Sequence, residues 1–180
     1  DHRTGEHTDI TQTGHRTFTL HYAAPEQLRG EIISTLTDVY ALGVVLYEIL
    51  AGCKPYSPER KTDAAWEEAI LKDEPIKPSQ ALLKNTFAIA QSHNKRVAKQ
   101  LANDLDNVVL KALAKDPEAR YASVESFKQD LLRYLDGQPV HARADSMGYR
   151  AQKYIQRHAF AVAAGVGVST VLAIALTITS

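Results

Sequence analysis

Three features that assign chains to particular protein classes are missing from this sequence: a second cysteine, an excess of charge of one sign, and strand-like alternation of apolar and polar residues. Cys53 is the single cysteine, so no disulfide forms within the chain. The 21 Lys and Arg residues balance 21 Asp and Glu residues, which gives no reason to expect a nucleic-acid partner. Because 44% of the residues are apolar and no strand pattern persists, we expect a packed, mainly α protein.

Charge is also missing from the end of the chain. Ala159 to Ile178 carries no charged residue, and a helix of this length, rising about 1.5 Å per residue, crosses a hydrocarbon layer roughly 30 Å thick. We therefore expect a transmembrane helix over 159–180, with a buried soluble helix as the alternative. Gly165 and Ser169 have the small-residue spacing of paired membrane helices, so a dimer through this helix is one expected assembly.

Residues 137–158 are expected to form a basic juxtamembrane linker. Its basic residues are Arg143, Arg150, Lys153 and Arg157. By the positive-inside rule, this side of the membrane helix lies in the cytoplasm. The pattern predicts a single-pass protein of the inner (cytoplasmic) membrane, with the part before the helix in the cytoplasm.

Apolar residues recur at helical spacing in the middle of the chain. The predicted helices are Leu36–Ala51, Thr62–Lys72, Asp104–Lys115 and one that Ser123 caps and that runs to about Leu135. Thr35 or Thr37 is the expected cap of the first helix, and Gly52 follows its end. That helix is apolar nearly all round, which predicts burial at the domain centre. Residues 79–101 are helix-capable but have no assigned place, and residues 1–21 read as a polar loop.

Three motifs occur in a defined order. They are Ala24-Pro25-Glu26, then Asp38-Val39-Tyr40-Ala41-Leu42-Gly43, then Asp116-Pro117-Glu118-Ala119-Arg120-Tyr121. They resemble the APE motif that closes a protein-kinase activation segment, the signature of the central F helix, and the motif before the last helix of that domain. The chain thus resembles a bacterial transmembrane Ser/Thr protein kinase from the activation segment onward. The resemblance implies a mainly α fold: the helical C-lobe of the kinase fold in a partial domain over 1–136, plus one transmembrane helix.

The resemblance also assigns structural roles. Glu26 and Arg120 occupy motif positions that pair in the family, and Arg offers a planar fork to a carboxylate. Asp38 is expected to accept backbone hydrogen bonds from the catalytic loop. Gly43 is expected to let another backbone approach its helix closely, since Gly inside a helix otherwise costs about 1 kcal/mol.

The loop before these motifs carries candidate regulatory residues. Thr19 matches a Ser/Thr-kinase position near the acceptor side, although Phe18 replaces the usual Gly. Thr8, Thr11, Thr13 and Thr17 lie in the expected activation loop and are candidate phosphosites, where a phosphate adds about −1.5 to −2 charges. The histidines of this loop match no zinc spacing, so no metal site is expected.

The residues that perform phosphoryl transfer have no motif match here. The family needs a Gly-rich loop, a strand Lys, a helix-C Glu, the catalytic-loop Asp and Asn, and the Asp of D-F-G. We therefore expect a fragment whose parent kinase uses ATP and Mg²⁺, phosphorylates protein Ser/Thr, and supplies the missing N-lobe as a partner. The fragment itself is expected to bind no cofactor and to be inactive. A pseudokinase or a membrane-tethered interaction module is the alternative.

Overall fold

The computed structural model describes residues 20–84, 91–144 and 146–159, which are mainly helical and contain no strand. The α-helices in this part of the chain are α1 (Pro25–Arg29), α2 (Thr35–Ala51), α3 (Asp63–Lys72), α4 (Pro78–Lys84), α5 (Gln91–Leu101), α6 (Asp104–Ala112), α7 (Val124–Leu135) and α8 (Met147–Arg157). A 3-10 turn at Pro117–Ala119 lies between α6 and α7.

Helix α2 lies between two apolar clusters. One cluster joins its Tyr40, Val44 and Tyr47 to buried residues of α3 and α4, and the other joins Val39 to α6 and α7. At Gly43, α2 crosses α6 so closely that an added Cβ would lie 2.9 Å from the Cβ of an alanine on α6. Glycine is therefore the residue that fits this crossing without moving either helix.

The cap of α2 differs from the prediction. Ser34, rather than Thr35 or Thr37, accepts a hydrogen bond from the Leu36 amide at 3.2 Å. The Thr37 hydroxyl donates to a buried carboxylate, and its oxygen accepts a hydrogen bond from the Ser34 amide at 3.3 Å, which completes a capping box. Thr37 therefore takes part in the cap from the third helical position, while Ser34 is the N-cap residue.

One face of α2 is open, which corrects the expectation that this helix is buried nearly all round. Leu42 and Val45 are each 42% exposed, and Ile49 is 73% exposed. No described element covers them, because α3, α4, α6 and α7 pack on the other sides of α2.

The remaining predicted helices agree with the structure to within a few residues. Thr62 caps α3 and Ser123 caps α7, each by accepting a hydrogen bond from a backbone amide of the first turn. Helix α6 ends at Ala112 instead of Lys115. The chain turns there, and the Ala114 carbonyl accepts a hydrogen bond from a side chain. In the stretch 79–101 that had no assigned place, the described residues belong to α4 and α5, and residues 85–90 lie outside the described part.

The predicted membrane helix and membrane location are corrected. Within 20–84, 91–144 and 146–159, no helix has both the length and the apolar character needed to cross a bilayer. The predicted span 159–180, and the dimer expected through it, fall almost wholly on residues 160–180, outside the described part. The described residues support a mainly helical fold, and they do not support the single-pass placement.

Part of the segment predicted as a linker is helical. Ser146 caps α8 by accepting a hydrogen bond from the Tyr149 amide, and Tyr149 is buried. The Tyr149 hydroxyl accepts a hydrogen bond from the Val140 amide at 3.0 Å, and Lys153 Nζ lies 2.6 Å from Asp104 Oδ2. Helix α8 thus packs against the start of α6 and the residues after α7 through a few polar contacts. Apolar periodicity does not predict contacts of this kind.

Candidate functional site

The first described residues lead into a short helix at the Ala24-Pro25-Glu26 motif. Pro25 occupies the first turn of α1, where its missing amide hydrogen costs nothing. The Ala24 amide donates to Gln27 Oε1 at 2.8 Å, which closes the turn from the other side. Ala24 and Glu26 are buried, so this start of α1 is held inside the domain.

The structure brings Glu26 and Arg120 together, although 94 positions separate them. Arg120 Nη1 donates to Glu26 Oε1 and Nη2 donates to Oε2, each at 2.7 Å. The Glu26 side chain is 2% exposed and the Arg120 side chain is 0% exposed. Thr37 adds a third donor to Oε1 at 2.9 Å. The carboxylate therefore has two parallel charge-assisted bonds and a hydroxyl donor in a water-excluded place.

Arg120 also ties the pair to the surrounding backbone. Its Nε donates to the Ala114 carbonyl at 2.8 Å, and Nη1 donates to the Leu36 carbonyl at 3.0 Å. Its guanidinium carbon lies 4.9 Å from the centre of the Tyr40 ring. One side chain thus joins the start of α2, the end of α6 and the beginning of α1.

The pKa of Glu26 reflects two opposing effects. Burial alone would raise the pKa of this carboxyl, but the hydrogen bonds from Arg120 and Thr37 and the Arg120 charge outweigh it. The net pKa lies below the usual glutamate range, so Glu26 stays charged at neutral pH.

A second polar cluster joins Tyr22, Glu48 and Lys54. The Tyr22 hydroxyl donates to Glu48 Oε2 at 2.8 Å, and Lys54 Nζ lies 3.2 Å from Glu48 Oε1 and 3.1 Å from the Tyr22 hydroxyl. The Tyr22 hydrogen bond is the main cause that lowers the pKa of Glu48, against a smaller opposing effect of burial. Sequence reasoning missed this cluster. The available signal was Glu48 itself, the only charge after Asp38 in an apolar helix.

His21 lies beside this cluster. Its ring packs against the Trp66 ring at a tilt of 51°, with ring centres 4.1 Å apart. Burial, followed by the positive charge of Lys54, lowers the pKa of His21, so the ring is neutral at pH 7. Trp66 thereby anchors α3 to the segment before α1, as an apolar and aromatic contact.

A third network connects three side chains and one backbone carbonyl inside the domain. The Tyr40 hydroxyl donates to the Tyr56 hydroxyl at 3.3 Å, and Lys115 Nζ donates to the Tyr56 hydroxyl at 2.8 Å and to the Ile70 carbonyl. Burial lowers the pKa of Lys115 to about 8 and raises the pKa of Tyr40 to about 12. The buried hydroxyls of Tyr40 and Tyr56 and the half-buried ammonium of Lys115 are therefore paired, as polar groups withdrawn from water usually are.

Asp38 is placed away from the Glu26 pair. Its side chain is exposed, and it lines a shallow depression of α2 together with Tyr22, Leu42 and Val45. The described residues provide no hydrogen bond or ion pair to its carboxylate. Thr19, Thr8, Thr11, Thr13 and Thr17 lie outside the described residues.

No metal-binding arrangement was found in the described ranges. There, no group of three or more His, Cys, Asp or Glu side chains is placed to hold a metal ion. The motifs that hold ATP phosphates are absent from the sequence as well.

The comparisons with known proteins agree on one family. Residues 4–132 match the model of the protein kinase domain. The chain is 39% identical over 135 residues to the serine/threonine-protein kinase PknB of Mycobacterium leprae, which covers 75% of this chain and 19% of that protein. It is 34% identical over 142 residues to a probable serine/threonine-protein kinase of Streptomyces coelicolor, covering 79% of this chain and 18% of that protein. The chain thus spans about a fifth of the length of these curated relatives.

Proposed function

Because the chain belongs to the protein kinase domain family, we propose that it supplies the activation-segment end and the helical base of a bacterial Ser/Thr protein kinase. Such a kinase transfers the γ-phosphate of ATP to a Ser or Thr hydroxyl of a protein substrate. These residues would hold the substrate-side segment in place, while ATP and Mg²⁺ would be held by residues outside this sequence.

The bidentate pair of Glu26 and Arg120 carries the proposal. It anchors the end of the segment that precedes α1 to the turn before α7, so this segment is attached at a fixed point of the helical base. Positioning is most of what a protein contributes to phosphoryl transfer, because the transition state is largely dissociative. A rigid attachment of this segment is therefore the contribution that fits these residues.

The open face of α2 is consistent with a partner from the same kinase domain. Leu42, Val45 and Ile49 expose apolar surface, and Asp38 on the same side has an unused carboxylate within the described residues. We propose that the part of the domain that carries the catalytic loop packs here, with Asp38 accepting backbone hydrogen bonds from that loop. An exposed apolar strip with one acceptor matches such a backbone contact.

Two assays test this function. The 180-residue chain alone should show no ATP-dependent phosphorylation, because it lacks the groups that bind ATP; robust turnover would contradict this. In a chimera, residues 1–136 replace the matching region of the Mycobacterium leprae kinase, and this protein should phosphorylate a protein substrate on Ser or Thr.

The chimera needs a matched pair of variants. Glu26→Ala in the chimera should abolish activity, whereas Lys128→Gln on the exposed side of α7 should leave it unchanged. A folded chimera without activity, or one in which Glu26→Ala is as active as the parent, would refute the proposed role of this segment.

We propose further that 1–136 is the kinase part, and that Thr19 contacts the acceptor side. Thr8, Thr11, Thr13 and Thr17 are proposed phosphosites, since a phosphate can order a loop through arginine contacts. Mass spectrometry of the active chimera should find phosphothreonine at one or more of these four positions. Phosphorylation confined to other residues would argue against regulation here.

A further inference from the structure

A groove lies between the end of α7, the connecting residues 138–144 and helix α8. Its volume is about 620 Å³, within the range of small-molecule sites. Its lining includes five cationic side chains: Arg133, Arg143, Arg150, Lys153 and Arg157. The described lining residues include no Asp or Glu. The groove is therefore a concave surface with a concentration of positive charge, in a chain whose net charge is zero.

The cations reach the groove from two sides. Arg150, Lys153 and Arg157 share one face of α8 by their spacing of three and four positions. Arg133 comes from α7, where its Nη1 donates to Gln138 Oε1 at 3.2 Å. The stem of Arg157 lies against the turn at Gly137, with its Cγ 3.7 Å from where a Cβ would stand. The arginines thus surround a cavity, in contrast to a flat basic face that water solvates.

The described ion pairs leave part of the charge of Arg133, Arg143, Lys153 and Arg157 unbalanced. Asp104 bonds to both Lys153 and Arg143, at 2.6 and 3.3 Å, so one negative charge serves two positive ones. A further carboxylate, Asp130, accepts hydrogen bonds from the Tyr121 hydroxyl and from the amides of residues 141 and 142. Over these four cations, the described ion pairs leave an excess of positive charge in the groove.

We propose that this groove binds a soluble small molecule that carries two or more phosphate groups. Guanidinium forks match phosphate oxygens in geometry and charge, and several of them around one cavity suit several phosphates. The exposed ring of Tyr154 offers an apolar wall for an organic part of such a molecule. Lipid head groups share the phosphate chemistry, but a cavity lined from two helices favours a compact anion over a bilayer surface.

Titration calorimetry of the 180-residue chain with sodium tripolyphosphate tests the proposal. We expect saturable binding that weakens as salt is added, because screening reduces the attraction. Arg157→Gln and Arg133→Gln should each weaken the affinity roughly tenfold, which is the loss of one charge-assisted contact. Arg60→Gln is the matched control, since it removes the same charge from an exposed loop outside the groove lining, and it should bind like the parent.

Three outcomes would overturn the proposal. The first is the absence of tripolyphosphate binding by a chain whose circular dichroism shows the expected helix content. The second is binding that Arg60→Gln weakens as much as Arg157→Gln and Arg133→Gln do, which would indicate bulk charge. The third is capture by vesicles of equal parts phosphatidylcholine and phosphatidylglycerol without tripolyphosphate binding, which would assign the basic residues to a lipid surface.

Discussion

Removing one partner of the buried Glu26–Arg120 pair should be among the most damaging single changes in the described chain. Arg120→Ala deletes two 2.7 Å bonds to Glu26 and leaves its carboxylate with the Thr37 hydroxyl as its remaining side-chain donor. An uncompensated buried charge of this kind costs about 3–5 kcal/mol. Since whole domains have about 5–15 kcal/mol of stability, this loss consumes much of the total.

Urea unfolding followed by circular dichroism measures this effect. Thr37→Val removes one hydroxyl donor from the same carboxylate and should cost about 1 kcal/mol, which gives a variant that stays folded if Arg120→Ala does not. Replacing both members of the pair, as in Glu26→Leu with Arg120→Met, should recover a large part of the loss, because no buried charge is then left unpaired. Lys128→Ala breaks an exposed pair with Glu125 and should leave the urea midpoint unchanged.

The pair also predicts acid sensitivity. The folded pKa of Glu26 lies below its unfolded value, so its contribution is fully present above the ordinary glutamate pKa of about 4.3. It is lost as pH falls through the lower folded pKa. Unfolding midpoints of the parent should therefore fall more steeply in acid than those of Glu26→Gln. Equal slopes, or an Arg120→Ala loss below about 1 kcal/mol, would refute the inference that this pair is buried and mutually dependent.

Gly43→Ala should destabilise the chain by about 1–3 kcal/mol in urea unfolding, because the new methyl would lie 2.9 Å from the Cβ of an alanine on α6. Gly148→Ala is the control: a Cβ at this position of α8 meets no atom within 4 Å, so the change should be neutral or stabilising. Lys115 has a folded pKa of about 8, below its usual value, so the unfolded chain binds more protons and stability should rise with pH from about 8 to 10. Lys115→Met should remove that rise, and a retained rise would contradict the assignment. Asp130→Asn should speed hydrogen exchange of the His141 amide, which donates to Asp130 at 2.6 Å. An unchanged exchange rate there would show that this bond does not hold the connecting segment.

Local patterns in the sequence determined most of the helices. Ser123 and Thr62 precede helical spacing directly, and a side-chain cap acts within three residues, so no distant contact is needed to predict α3 and α7. The three ordered motifs likewise identified the family, which the kinase-domain match over 4–132 independently shows. The uncharged stretch 159–180 led to the prediction of a membrane helix. No helix of the described residues is long and apolar enough to cross a bilayer, and residues 160–180 lie outside the described part.

Tertiary structure decided the features that depend on distant partners. Ser34 and Thr37 form a local capping box at the start of α2, but only the folded chain brings the Thr37 hydroxyl to the buried carboxylate of Glu26. The basic stretch 137–158 lacks an apolar period, yet Asp104 and the Val140 amide hold α8 in place through polar contacts. A sequence pattern shows how residues are spaced within one segment, and it does not show which other segment they contact. The Tyr22–Glu48–Lys54 cluster and the groove beside α8 arise because separate segments meet, and only the folded chain brings those charges together.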